Sequence, residues 1–202
     1  MENIEKCLLC NSNNFFKIYK ELNYKYAICR KCGHVQQINR YTFDYYDNLP
    51  YESQWNDYKN HSKNRAKYIF EFCTSYILNS KSILDIGSGP GGVLNELKNI
   101  IGNKCKFSGI TSIQDKDKVI KGLNIEFGDF NKIKTKTKYD FIILCHVLEH
   151  SLDPKSMLQK IHSILETDGY LYIEVPSFHW VEIRSNPMFC GVHISYFSKT
   201  QL

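Results

Sequence analysis

The sequence predicts an α/β fold, with a doubly wound and mostly parallel sheet of about five strands preceded by a small zinc-binding module. From residue 82 onward, short apolar segments that read as strands alternate with segments of helical spacing. A glycine-rich segment, DIGSGPGG, joins the first of these strands to the next helix. Four of the eight cysteines lie in the first 32 residues, as two C-x2-C pairs. Alternating strands and helices form parallel sheets covered on both faces, and paired cysteine motifs are typical of zinc sites.

The composition excludes several classes of protein. Of the 202 residues, 43% are apolar and 23% are charged, as in soluble globular proteins. No apolar run approaches the roughly 18 residues of a membrane-spanning helix, and the start MENIEKCLLC is too polar for a signal peptide. We therefore expect a cytoplasmic protein without a membrane partner. The net charge is +5, but there are 22 lysines and only 4 arginines. Because arginine is the favoured reader of phosphates and bases, we expect no nucleic-acid partner.

The first segment, residues 1–40, is predicted to be the zinc-binding module. Its ligands would be Cys7, Cys10, Cys29 and Cys32, since two C-x2-C knuckles can bring four thiolates onto one tetrahedral Zn²⁺. A pair of redox dithiols is the alternative. Without a secretory signal, disulfides are not expected. His34 could replace one cysteine but is more simply a neighbour.

The second segment, residues 41–60, is a tyrosine-rich connector that either packs between domains or covers a site. Its aromatic residues could stack on a sugar or a base; they are Tyr45, Tyr46, Tyr51 and Trp55. The third segment, residues 61–202, is the α/β domain, and it begins with a predicted helix over 61–79. The apolar face of that helix is predicted from helical spacing and comprises Ala66, Ile69, Phe70, Cys73, Ile77 and Leu78.

Five strands and two further helices follow in alternation. The strands are predicted at SILDI, KFSGI, LNIEF, YDFIILC and YLYIEV, and the helices at GVLNELKNII and SMLQKIHSIL. Asp153 and Pro154 form a cap and first-turn pair for the last helix. The segment TDG is predicted as a turn before the last strand.

The glycine-rich loop is predicted to hold a ligand, because glycines there let the backbone turn sharply and approach a bound group. Gly87, Gly89 and Gly92 satisfy G-x-G-x-x-G, so a dinucleotide site is one possibility. That site needs an acid at the end of the second strand, where this chain has Thr111. Asp85 ends the first strand instead, and its carboxylate suits a cationic ligand with an amino group better than a pyrophosphate.

Four segments together resemble the class I S-adenosylmethionine-dependent methyltransferases. They are DIGSGPGG, FGDF, YDFIILCHVLEHSLDP and LETDGYLYIEVPS, in the family's order over residues 61–200. The resemblance implies a Rossmann-like methyltransferase fold with S-adenosylmethionine (SAM) as cofactor. Where the family usually carries an acid for the ribose hydroxyls, Thr111 and Gln114 would bind them by neutral hydrogen bonds. The cofactor-binding residues that it implies are Asp85, Gly87, Ser88, Gly89, Thr111, Gln114, Asp129 and Phe130.

The cysteine motifs, the tyrosine-rich connector and this core together resemble the nucleotide-sugar C-methyltransferases. The resemblance implies a small-molecule substrate, namely a nucleotide-linked or cell-surface sugar. It also implies that His193, in an H-x-S-Y-F segment, is the general base. In that family a Tyr and a Glu closely precede this histidine, whereas here those positions are Cys190 and Val192.

The segment HVLEH supplies two further candidates for proton transfer. His146 and His150 follow the fourth strand, where open α/β sheets bind ligands, and Glu149 stands between them. These residues could also organise the loop or hold a metal ion. The sequence leaves two other functions open: a catalytically degenerate methyltransferase-fold binding protein, and an RNA methyltransferase with a zinc ribbon.

The last strands of a seven-stranded methyltransferase sheet are not found in the sequence, where five strands can be counted. We therefore expect a truncated domain whose exposed edge strand is covered by a missing C-terminal domain or by a second copy of the chain, because an open edge promotes aggregation.

Overall fold

The computed structural model describes residues 2–21, 24–40, 55–113, 116–176 and 193–202. Its strands are β1 (Glu2–Asn3), β2 (Phe15–Glu21), β3 (Tyr24–Cys29), β4 (Val35–Gln37), β5 (Asn39–Arg40), β6 (Ser82–Ile86), β7 (Lys106–Thr111), β8 (Asn124–Phe127), β9 (Tyr139–Cys145), β10 (Leu165–Glu174) and β11 (Ser195–Tyr196). Its α-helices are α1 (Trp55–Asn79), α2 (Gly92–Ile101) and α3 (Pro154–Ile164). Short 3₁₀ turns cover Gly102–Lys104, Lys116–Lys118 and Leu148–His150.

The chain divides into two compact units. The cysteine unit comprises Met1–Asp44, His146–Gln159 and Glu174–Leu202, and the sheet unit comprises Tyr45–Cys145 and Lys160–Ile173. The two units do not match the three consecutive segments expected from boundaries at residues 40 and 60, because the cysteine unit also includes residues from the second half of the chain. The reason is the pairing of β11 with β4, which adds a strand from the end of the chain to the sheet that carries the cysteine motifs.

The cysteine unit contains a four-stranded sheet in the order β11-β4-β3-β2, and each of its strand pairs is antiparallel. Strands β1 and β5 form a separate antiparallel pair. One small apolar core cluster among the described residues of the unit comprises Tyr26, Ile28, Val35 and Tyr196. The ring of Tyr196 meets that of Tyr26 edge to face, at 5.8 Å between centroids. Strand β11 therefore contributes a quarter of this core.

The sheet unit contains the predicted five-stranded sheet, in the order β10-β9-β6-β7-β8. The pairs of β6 with β7, β6 with β9, and β7 with β8 are all parallel, as predicted. Strand β6 is buried after its first residue, and β9 is buried at residues 141–144, because a central parallel strand is covered on both faces. The core cluster of this unit comprises Ala66, Ile69, Cys73, Ile77, Ile83, Leu94, Leu97, Cys105, Phe107, Phe141, Ile143 and Tyr172.

Helix α1 is longer than predicted, since it begins at Trp55 within the tyrosine-rich connector. Most of its predicted apolar face is buried or partly buried, but the prediction for Leu78 is wrong, because this side chain is 60% exposed. Ile77 takes the buried position in the last turn. Leu78 lies about 100° further round the helix, since a helix has 3.6 residues per turn.

Helix α3 begins as the sequence predicts. The Asp153 carboxylate accepts a hydrogen bond from the Ser156 amide at 3.0 Å, which caps the first turn. Strand β10 follows α3 directly and is longer than the predicted YLYIEV. The turn predicted at TDG is not a separate element, because these residues lie within β10. The backbone is close-packed there, since a Cβ on Gly169 would lie 3.0 Å from the Glu166 carbonyl oxygen. Among the described residues, no helix combines the length and apolarity that a membrane crossing requires.

Candidate functional site

The glycine-rich loop lies at the carboxyl end of β6 and is tied to the end of β7. The amides of Gly87 and Ser88 both donate to the Ile110 carbonyl, at 2.8 and 2.9 Å. Gly87 and Gly89 have φ angles of 78° and 55°, a region that favours glycine. The predicted cofactor-binding residues Gly87, Ser88 and Gly89 therefore form a turn whose shape is fixed by hydrogen bonds.

The second half of the loop has no room for side chains. A Cβ on Gly91 would lie 2.5 Å from Leu123 Cδ1, and a Cβ on Gly92 would lie 2.3 Å from Ser62 Oγ. The Gly92 amide donates to the Tyr58 hydroxyl at 2.9 Å. Tyr58 holds the start of α2 against α1, and the sequence analysis missed this residue among the many tyrosines around it.

Thr111, Asp129 and Phe130 lie at the same edge of the sheet as the loop. Thr111 ends β7 and is paired in register with Phe127 at the end of β8. Its buried hydroxyl accepts a hydrogen bond from the Ile113 amide at 3.2 Å, so the ribose position predicted for it is occupied by a neutral, oriented side chain. Asp129 accepts from the Asn131 amide at 2.9 Å. Gln114, the other predicted ribose ligand, lies outside the described residues.

Lys160 of α3 supports the segment after β8, a role that no local pattern of residues indicates. Its ammonium group donates to the carbonyl oxygens of Phe130 and Ile133, the second at 2.5 Å. The same group lies 4.5 Å from the centroid of the Phe130 ring, which is buried. Burial lowers the pKa of Lys160, while Asp129 and Glu126 oppose that shift. The lysine thus fixes the loop on which the predicted adenine-side residues stand.

Asp85 is the buried carboxyl group of this region. It is 4% exposed, and it pairs in register with Gly109 on one side and Ile143 on the other. Burial raises the pKa of Asp85 to about 7, although the Arg65 guanidinium partly opposes the shift. The carboxyl group is therefore poised to ionise near neutral pH, and a cationic ligand would favour its charged form.

In the cysteine unit, the structure brings His146 together with two carboxylates. Its Nδ1 lies 3.2 Å from Glu149 Oε1, and its Nε2 lies 3.1 Å from Glu174 Oε1. Both ring nitrogens donate only when the imidazole is protonated, so two carboxylates favour the charged ring. His146 also has a φ of 53°, a strained conformation for a residue other than glycine that is often found at functional sites.

His150 and His193 meet beside the same Glu149. Their rings are in edge-to-face contact at 4.9 Å between centroids, and His150 Nε2 lies 3.9 Å from Glu149 Oε1. Burial, followed by the neighbouring His150, lowers the pKa of His193 to about 4, although Glu149 opposes the shift. The carboxylate of Glu149 thus lies near His193, although no acid stands at the two positions before His193 where the sugar enzymes carry Tyr and Glu. Cys190 and Val192 lie outside the described residues.

The predicted zinc ligands converge. Cys7 Sγ lies 3.6 Å from Cys32 Sγ, Cys10 Sγ lies 3.5 Å from Cys29 Sγ, and all four sulfurs lie within 4.8 Å of one another. Tetrahedral zinc with Zn–S bonds of about 2.3 Å needs sulfurs about 3.8 Å apart, so the four residues fit such an ion. The turns at Asn11 and Gly33 have φ angles of 58° and 73°.

His34 belongs to the cysteine unit but not to the sulfur cluster. Its Nε2 lies 3.2 Å from Ser195 Oγ, and its ring lies 5.2 Å from that of Phe197. His34 is fully buried and joins β11 to the module. Of the predicted aromatic contacts to a ligand, Tyr45, Tyr46 and Tyr51 lie outside the described residues, as does the Trp55 side chain.

Comparisons with known proteins identify the family. A family model described as a methyltransferase domain matches residues 58–202. The (S)-coclaurine N-methyltransferase of Papaver somniferum is 31% identical over 111 residues, which are 48% of this chain and 30% of that protein. The chain therefore spans less than a third of the curated relative's length.

Solved structures show the same fold. A SAM-dependent methyltransferase from Archaeoglobus fulgidus matches with a TM-score of 0.55 and 22% identity, over 74% of this chain and 69% of that one. DesVI from Streptomyces venezuelae matches with a TM-score of 0.53 and 17% identity, over 68% of this chain and 60% of that one. These likenesses confirm the predicted Rossmann-like methyltransferase fold. Because the family match covers well over half of the sequence, the chain belongs to the methyltransferase-domain family.

Proposed function

We propose that this chain carries out SAM-dependent methyl transfer to a small molecule. The observation that carries the proposal is the convergence of the glycine loop, Thr111 and the Asp129–Phe130 segment on one edge of the parallel sheet, in a chain of the methyltransferase-domain family. SAM supplies an electrophilic methyl group on sulfur. The protein's task is to hold that group in line with a nucleophile and to remove the acceptor's proton.

The cofactor would lie across the ends of β6, β7 and β8. Asp85 and the turn through Gly87, Ser88 and Gly89 would hold its methionine part, whose ammonium group matches the buried carboxylate. The Thr111 hydroxyl, together with Gln114, would contact the ribose. Asp129 and Phe130 would hold the adenine, and Lys160 keeps their loop in place.

Proton removal is assigned to the histidine cluster, which we define as His146, His150 and His193. His193 is the base that the family resemblance implies, and a neutral ring can accept a proton. Its low pKa makes it a weak base at pH 7, since general bases work best when their pKa is near the working pH. Loss of a general base typically slows the reaction by a factor of about 10²–10⁴. We therefore expect His193→Ala to lower the turnover rate while leaving cofactor affinity unchanged.

A nucleotide-linked sugar is the acceptor that we propose within the small-molecule class. The support is the order of the parts: a four-cysteine module precedes the methyltransferase core, and an H-x-S-Y-F segment follows it. Strand β11 of that segment pairs with β4 of the module. The four-cysteine module and the H-x-S-Y-F segment therefore share one sheet. We propose no nucleic-acid partner, because arginine is scarce.

Zinc bound by Cys7, Cys10, Cys29 and Cys32 would be structural. A site closed by four thiolates has no open position for a reactant, so the ion takes no part in methyl transfer. Zinc would supply folding energy to a unit with a small core.

Calorimetry with S-adenosylhomocysteine, the demethylated product of the cofactor, tests the central proposal. We expect saturable binding by the wild-type chain and at least a tenfold loss of affinity for Asp85→Ala, since a charge-assisted hydrogen bond contributes about 1.5–3 kcal/mol. Absence of binding by the wild type would favour the degenerate binding protein instead. Methyl transfer from labelled SAM to a panel of nucleotide sugars then tests the acceptor class.

A further inference from the structure

A buried carboxylate, that of Glu149, lies beside the histidine cluster. Glu149 is 1% exposed, and its Oε2 atom has no hydrogen-bond partner among the described residues. Its Oε1 atom is already close to His146 Nδ1, at 3.2 Å. An unpartnered buried carboxylate oxygen is costly, and this cost calls for a cation or a donor at that position.

We propose that Glu149, His150 and His193 form a binding site for one divalent first-row transition-metal ion. One ligand atom from each of the three residues lies within 4.8 Å of the other two. In a tetrahedral set, ligand atoms about 2.1 Å from the ion lie roughly 3.4 Å apart. Each pair in this cluster therefore exceeds that distance by at most about 1.4 Å, a gap that rotation of the side chains can close.

The backbone holds these residues in place. Glu149 and His150 lie in the 3₁₀ turn Leu148–His150, and the amide of Ile194, next to His193, donates to the Glu149 carbonyl at 2.8 Å. Strand β11 follows at once and is paired with β4. Both parts of the site therefore stand on hydrogen-bonded segments, as a preformed metal site requires.

The chemistry of the donors selects the class of ion. One carboxylate and two imidazoles suit zinc, iron, cobalt or nickel better than magnesium or calcium, which prefer oxygen ligands. A metal ligand must be a neutral imidazole, and burial keeps the His193 ring neutral at pH 7. His146 would lie behind the carboxylate and orient it through the 3.2 Å contact of its Nδ1 with Glu149 Oε1, as outer-shell hydrogen bonds do in metal sites.

Three protein ligands leave at least one coordination position open, unlike the four thiolates of the cysteine cluster. If the proposed methyl transfer is correct, an ion here would make an acceptor hydroxyl more acidic. This consequence rests on the proposed function, whereas metal binding itself does not. A metal-bound His193 would not serve as the base described under the proposed function. The acceptor's proton would instead pass to water as the new bond to the methyl carbon forms and the carbon–sulfur bond breaks.

Cobalt titration of the full chain tests the site. The protein is first loaded with one equivalent of Zn²⁺ for the four thiolates, and Co²⁺ is then added without cofactor or acceptor. We expect one further equivalent to bind, with weak visible bands and no sulfur-to-metal charge transfer in the near ultraviolet. Glu149→Gln and His193→Ala should each lower the association constant at least tenfold.

His162→Ala is the matched control, because His162 is exposed on α3 and has no assigned role in the site. This variant should bind cobalt as the wild type does. Glu149→Gln keeps the side chain's size and decides the outcome if His193→Ala does not fold. The proposal is overturned if no second ion binds, if both site variants bind it as the wild type does, or if only sulfur bands appear. Because no cofactor or acceptor is present, these outcomes are independent of methyl transfer.

Discussion

The two units of this protein bury very different amounts of apolar surface. Among the described residues, one core cluster of the sheet unit contains twelve buried residues, whereas the cluster around Tyr26 in the cysteine unit contains four. Burial of apolar area stabilises folding by about 25 cal/mol per Å², so the sheet unit has the larger hydrophobic contribution. The cysteine unit has four converged thiols instead. From this comparison we propose that apolar packing holds one unit and that a metal ion on the four thiols stabilises the other.

Metal removal gives the largest expected effect on this comparison. Structural zinc contributes roughly 10–16 kcal/mol of apparent binding energy in zinc-finger peptides, which is comparable to or larger than the burial of four apolar side chains at about 1.5–3 kcal/mol each. After chelation, the amides of residues 24–40 should lose protection from hydrogen exchange, while those of residues 82–86 and 106–111 keep it. Hydrogen-exchange mass spectrometry measures both regions in one sample.

Cys10→Ser should reproduce the effect of chelation, and Cys105→Ala should keep the zinc, because Cys105 belongs to the core of the sheet unit. Elemental analysis that finds no zinc in the purified wild type would contradict the structural role of the metal and the comparison built on it.

Gly91→Ala probes the close packing of the sheet unit. The new Cβ would lie 2.5 Å from Leu123 Cδ1 and 2.8 Å from Ile125 Cδ1, at a φ of 90°. Overpacking costs about 1–3 kcal/mol, and the left-handed backbone adds about 1–2 kcal/mol. Urea denaturation of the sheet unit should therefore show a loss of roughly 2–5 kcal/mol in the free energy of unfolding.

Gly122→Ala is the matched control, since Gly122 has a φ of 84° but no atom within 4 Å of its built Cβ. Only the backbone cost of about 1–2 kcal/mol should remain. Equal losses in the two variants would show that packing against Leu123 and Ile125 does not constrain the glycine loop.

The raised pKa of Asp85 predicts opposite pH dependences for stability and for ligand binding. The folded state keeps the proton up to about pH 7, whereas the unfolded chain loses it near pH 4. Between these values the folded state binds more protons, so this group's contribution to stability falls as pH rises from about 4 to 7. Binding of a cationic ligand needs the ionised form, and its affinity should rise up to tenfold per pH unit below pH 7.

Calorimetry with S-adenosylhomocysteine between pH 6 and 8 measures the binding side of this prediction, and thermal unfolding over pH 4–8 measures the stability side. Asp85→Asn should remove both slopes. A wild-type affinity that does not change over this pH range would show that Asp85 does not meet the ligand's ammonium group.

Lys160→Met should give the smallest effect. It removes the hydrogen bonds to the carbonyl oxygens of Phe130 and Ile133 but keeps the length of the side chain. A net hydrogen bond contributes about 0.5–1.5 kcal/mol, so we expect a several-fold loss of cofactor affinity with little change in the unfolding of the sheet unit. Lys155→Met, at an exposed position of the same helix, should bind as the wild type does. Equal affinity for both variants would contradict the supporting role of Lys160.

Features that depend on short segments were predicted correctly. The alternation of apolar strands with helices indicated the parallel sheet, and the spacing of the cysteines indicated that four sulfurs converge. The Asp153 cap was readable for the same reason, since each depends on residues close together in the sequence. The exposure of Leu78 could not be predicted, because helical spacing alone does not determine the width of the buried face at the end of α1.

The sequence by itself determined the fold class, the glycine turn and the cysteine cluster, because local backbone preferences and motif spacing are sufficient for each. Only the tertiary structure decided which distant side chains meet. It pairs β11 with β4, and it places Glu149 beside His193, whose own neighbours in the sequence lack a carboxylate. It also raises the pKa of Asp85 and lowers that of His193. These properties arise from burial and from contacts across many residues of chain, which no local pattern of amino acids encodes.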